Sequence, residues 1–135
     1  MSKTKHKMQE QINQLLAVLK GFDLPVFEDE LGEDEEENIR NDENGYHFFT
    51  FETGDITRNE SNKSVSQEVI IYYYSENRDD LDERTVDILS SLSTIPLMVF
   101  EGTQKQRLRR KDTDSYVDRI IFLYSRKIVL GCGTL

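Results

Sequence analysis

The stretch that most restricts the fold lies between residues 65 and 92. Val69-Ile70-Ile71-Tyr72-Tyr73-Tyr74 is a run of six apolar or aromatic residues, three β-branched and three aromatic. A strand buried on one face alternates with polar residues, so an unbroken run reads as a central strand buried on both faces. The strand is expected over residues 66–74, and the polar stretch 75–80 then turns the chain. Asp80, with Glu83 three positions on, has the form of a helix-capping box with Asp in place of Ser or Thr. Leu81, Thr85, Ile88, Leu89 and Leu92 form one stripe of the helix that follows. That helix should end near Ser93, since Pro96 cannot continue it.

A second helix is expected over residues 3–20, where Met8, Ile12, Leu15, Leu16 and Leu19 repeat the stripe and Gly21 follows as a natural terminator. Lys3, Lys5 and Lys7 oppose the helix dipole, so this end should fray or the helix begin later. Leu24-Pro25-Val26-Phe27 reads as a short edge strand, where a proline is tolerated. Residues 46–51 form the next strand, and the polar connection 54–64 joins it antiparallel to the central one. A third strand begins at Leu97-Met98-Val99-Phe100 and runs into the basic segment 104–111. The turn 112–115 leads to the last strand over 116–124. The fold class is therefore α+β, an antiparallel sheet of about four strands with two helices on one face, in the order α-β-β-α-β-β. At 135 residues the chain is one domain, residues 1–135.

The net charge of −9 is confined to one place. Between Glu28 and Asn44 stand ten acids and one base, Arg40. Removing them from the 26 acids and 17 bases of the chain leaves sixteen of each. Carboxylates this dense repel one another, so a mobile acidic loop is expected at 28–44. Two other readings stay open: a docking arm that orders on a basic partner, and a cation site, although the spacing of a calcium loop is missing. The acidic balance argues against general nucleic-acid binding. No apolar run reaches the ~20 residues of a membrane span, and the first residues lack the apolar core of a secretory signal.

No pattern of catalytic or metal-binding residues emerges. His6 and His47 are isolated, and each reads as structural. Cys132 is the single cysteine, which excludes an internal disulfide and fits a reducing compartment, and no neighbouring base activates it. No phosphate-binding glycine loop or nucleophile signature is present, so the chain is read as a non-enzyme without cofactor. The basic run 105–111 has three readings: a solvated arm, a projection that meets acidic surface on a neighbouring copy, or a nucleic-acid contact that lacks interleaved aromatics.

In layout the chain resembles the tail terminator (tail completion, tail-to-head joining) proteins of siphophages and prophages. Four pieces carry the resemblance: the first helix ending Gly21-Phe22-Asp23-Leu24-Pro25-Val26, the block from Ser66 to Glu76, the helix after Asp79-Asp80-Leu81-Asp82, and the hairpin ending Asp112-Thr113-Asp114-Ser115-Tyr116-Val117-Asp118-Arg119-Ile120. They span most of the chain outside 28–44, whose acidity departs from the family pattern. The resemblance implies a structural protein of the virion, assembled in the host bacterial cytoplasm. Such a protein is a monomer when free and forms a hexameric ring at the head-proximal end of the tail tube. The ring stops tube polymerisation and offers a surface to the head–tail connector, with DNA passing through its lumen and no membrane involved. Alternatives are another head–tail neck or tail tube subunit, or a small nucleic-acid-binding or regulatory α+β module. The expected interface residues are Glu33, Asp34, Glu35, Glu36 and Glu37 in the acidic loop, Lys105, Arg107, Arg109 and Arg110 in the basic arm, and Arg58 and Lys63 in the 54–64 connection.

Overall fold

A computed structural model describes residues 3–28, 47–76, 78–109 and 116–131. The acidic loop with Glu33–Glu37, the turn 112–115, Arg110 and Cys132 lie outside the described residues. In chain order the elements are α1 (Lys3–Lys20), β1 (Val26–Glu28), β2 (Phe48–Arg58), β3 (Ser64–Ser75), α2 (Leu81–Leu92), β4 (Met98–Arg109) and β5 (Tyr116–Val129).

The class is α+β, but the sheet has five strands and is mixed, in the order β1-β2-β3-β5-β4. The short segment after α1 is a true strand, and it pairs parallel to β2 with Val26 opposite Phe49. All other pairs are antiparallel. The last strand lies between β3 and β4, so β3-α2-β4 is a crossover with β5 filling the gap. α1 starts at Lys3 despite its opposed lysines, and no acid stands in its first turn. The left-handed residue that turns the chain after α1 is Asp23, at φ 59°, rather than Gly21.

Both helices cover one face of the sheet. Leu15 and Leu19 of α1, and Ile88 and Leu92 of α2, meet Phe49, Phe51, Val69, Ile71, Tyr73, Ile120, Phe122 and Tyr124. In β3 burial alternates: Val69, Ile71 and Tyr73 are buried, whereas Ile70, Tyr72 and Tyr74 between them are half-buried. The expectation of a strand buried on both faces is corrected here. Rings and hydroxyls let Tyr72 and Tyr74 stand on a partly wet face, which no periodicity in the apolar run reveals.

The polar connection 54–64 is also shorter than expected. β2 continues to Arg58, and a register shift between Thr53 and Ile56 places Gly54 and Asp55 in a bulge. At this end the hairpin is held by polar groups, with Asn59 Nδ2 donating to Ser64 Oγ at 2.9 Å and Ser66 Oγ donating to Asn59 Oδ1 at 2.7 Å. β4 forms the far edge of the sheet and has its own irregularity between Phe100 and Gly102.

The capping box does not form. Asp80 is the N-cap residue of α2 but makes no side-chain cap bond. Its carboxylate receives Arg78 Nε at 2.8 Å and Arg78 Nη2 at 2.9 Å. A bidentate, charge-assisted pair is stronger than a bond to a neutral amide, which accounts for the exchange. The guanidinium also holds the Asp80 carboxyl below the usual carboxylate range.

Candidate functional site

Strand alternation sets Lys105 and Arg107 on one side of β4, as expected. Both are exposed, and both have partners within the molecule. Lys105 Nζ lies 2.6 Å from Asp82 Oδ1 at the start of α2, and Arg107 Nε lies 3.2 Å from Asp118 Oδ1 on β5. The exposed Lys105–Asp82 pair contributes roughly 0–1 kcal/mol and a competing carboxylate displaces it at little cost, whereas the Asp118 side chain is 15% exposed and its pair with Arg107 is harder to displace. Arg109 closes β4, opposite Tyr116.

Arg58 and Lys63 are at the other end of the sheet. Arg58 ends β2 opposite Val65, and the Lys63 carbonyl accepts the Leu130 N–H at 2.7 Å. The expected basic residues therefore occupy two opposite ends rather than one patch. The sequence reading missed a further set at the Arg58 end. Lys127 is exposed near the close of β5, and α1 begins there, with Thr4 Oγ1 donating to Val129 O at 3.5 Å. Only the pairing register brings these residues together, since they are remote in sequence.

Arg126 was also missed. It is 5% exposed, and its Nε and Nη2 donate to Gln67 Oε1 at 3.0 and 2.7 Å. Its Nη1 donates to the Met8 carbonyl at 3.3 Å. Burial lowers its pKa. The group ties β5 to β3 and α1 beneath the start of the helix.

The sheet face opposite the helices carries Phe27, Phe48, Tyr72 and Tyr74 with Arg119 among them. Phe48 stacks on Tyr74 at 4.6 Å between ring centroids. The Arg119 guanidinium lies 5.7 Å from the Tyr72 ring and 6.0 Å from the Tyr74 ring, and it donates to Gln106 Oε1. Tyr72 Oη donates to Glu52 Oε1 at 2.7 Å, and burial, with this bond beside it, pushes the phenol up to about 12. Glu68 and Glu101 are exposed further along, with Ser125 Oγ donating to Glu101 at 3.0 Å. Three carboxylates against one engaged arginine make this face unfavourable for a phosphate backbone.

His47 lies just before β2, its Nε2 2.8 Å from Tyr73 Oη. Burial lowers its pKa, and the nearby Arg78 and Arg84 lower it further, while Asp80 opposes them. The folded-state pKa is thus below the unfolded value of about 6.5, so His47 contributes stability above about pH 6.5 that is lost as pH falls through the folded value. Melting temperatures measured from pH 7.5 to 5.0 should fall over that window. The fall should be weaker in His47→Gln, and an unchanged slope would refute the assignment. Among the described residues no group of three or more His, Cys, Asp and Glu is placed to hold a metal ion, and no helix is long and apolar enough to cross a membrane.

No family model and no characterised protein matches the chain.

Proposed function

We propose that the protein is a structural assembly subunit of a phage tail, capping the head-proximal end of the tail tube and forming the tail side of the head–tail joint. The observation that carries this reading is the separation of charge. The whole net charge of −9 is matched by one short stretch, while basic residues stand at both ends of the folded sheet, Lys105 and Arg107 paired with aspartates at one and Arg58 and Lys63 at the other. Complementary patches at different places on one chain favour head-to-tail contacts, which close into rings when the rotation permits. The same net charge keeps free copies soluble and their association weak until a tube end supplies a template. The working assembly is a hexameric ring in contact with tube protein on one side and connector on the other, with no catalysis and no cofactor.

Reversing Arg107 and Arg109 to glutamate should leave the circular dichroism spectrum intact and abolish tail completion. Electron microscopy would then reveal over-long tails detached from heads. Normal infectious particles from the double variant would sink the role of the β4 arm. A second reading, a nucleic-acid-binding module, has in its favour the aromatic sheet face around Arg119. It requires a gel shift with steep salt dependence, against which stand Glu52, Glu68 and Glu101 on the same face.

A further inference from the structure

We infer that the end of the molecule where α1 begins is a docking groove for a second copy of this chain, which enters it with its acidic stretch 28–43. The groove lies between the first turns of α1, the segment before β4 and the end of β5, and encloses about 210 Å³. Its floor is apolar, built from Met8, Pro96, Leu97, Ile128 and Val129. That volume is below the roughly 300–1,000 Å³ of small-molecule sites, and it suits anchoring side chains rather than a cofactor. Leu97 adopts a left-handed backbone, φ 63°, and is 52% exposed. Val129 and Leu130, at the end of β5, are exposed as well.

The rim is cationic. Lys7 and Lys127 line the groove, Lys63 adjoins it through the Leu130 N–H, and Arg58 ends a strand at the same end of the sheet. The first turn of α1 holds no acid to offset the positive end of its dipole. Against these, one acid lines the groove, Glu10, whose carboxylate lies 2.9 Å from His6 Nε2, and Glu60 is exposed in the β2–β3 turn. The complement of an apolar floor with a lysine rim is a segment of aliphatic side chains set among carboxylates. Residues 28–43 have that composition, with Leu31 and Ile39 among ten acids and a single base. Taken with the reading of a self-assembling subunit, this complementarity names a second copy as the occupant.

The inference rests on the reading of a self-assembling subunit and names the surface that receives the neighbour. The test mixes two preparations of the full chain. One carries a spin label at Glu33→Cys in a Cys132→Ser background, and the other is ¹⁵N-labelled and otherwise native. The expected result is broadening of the Thr4, Met8, Leu97 and Val129 amide signals of the ¹⁵N copy, reduced at least fivefold when that copy carries Lys63→Glu and Lys127→Glu. Raising the salt should reduce it as well. Absence of intermolecular broadening at millimolar protein overturns the proposal, as does broadening that the two substitutions leave unchanged. Spectra of the variant copy confirm that it is folded. Docking that persists while tails of the Arg107 and Arg109 variant complete normally would leave this inference standing and remove only the β4 arm's part in the tail reading.

Discussion

Arg126→Ala is expected to lower the melting temperature by roughly 10 °C, the equivalent of about 2–4 kcal/mol in a domain of this size. The guanidinium is buried, and its hydrogen-bond acceptors are the Gln67 amide and the Met8 carbonyl. Truncation leaves the Gln67 oxygen without its donors, opens a cavity beneath α1, and removes a link between helix and sheet. Arg126→Met combined with Gln67→Leu removes the charge and its acceptor together while keeping their bulk. Because replacing a buried polar pair by apolar groups is often neutral or stabilising, this double variant should melt near the wild type. Thermal denaturation of the three proteins checks the argument. A loss below about 1 kcal/mol for Arg126→Ala would mean that the guanidinium supports nothing around it.

Tyr73→Ala should be more damaging still, at about 3–5 kcal/mol, whereas Tyr72→Ala one residue earlier should cost a small fraction of that. Tyr73 is fully buried, packs on Phe49 at 5.1 Å between centroids, and bonds His47. Tyr72 is half-buried on the other face, its ring under Arg119 and its hydroxyl on Glu52. Against a total stability of about 5–15 kcal/mol, the first loss is a large share. Urea unfolding of both variants measures the contrast directly. Equal losses would mean that β3 draws as much stability from its Tyr72 face as from its Tyr73 face.

The same two residues indicate how far the sequence could be read. Helical spacing identified both helices, because Leu15, Leu19, Ile88 and Leu92 repeat at the helical period and their burial follows it. The two antiparallel hairpins were legible from their apolar runs and turns. One-sided burial of β3 was hidden because tyrosine serves equally well on a dry face and a damp one. The parallel pairing of β1 was hidden because three residues after a proline carry no information about which strand they join. Gly54 to Arg58 looked like loop because that end of the hairpin is joined by Asn59, Ser64 and Ser66 rather than by a core. At the candidate sites, individual cations such as Lys105 and Arg107 were visible, but their partners Asp82 and Asp118 come from other elements. The groove at the start of α1 joins residues more than 80 positions apart, which no local pattern encodes.

The placement of β5 has a consequence for how the chain acquires its shape. It bridges β3 and β4 along nearly its whole length, with Ser64 opposite Val129 and Arg109 opposite Tyr116. Until that strand has been synthesised, the two it will separate have open edges and α2 has only half a floor. Most of the sheet's hydrogen bonds therefore form late and together, over long loops, which favours one concerted and comparatively slow folding step after the strand leaves the ribosome. Conditions that stall translation within the 14 residues of β5 should yield a chain that chaperones hold and proteases cut.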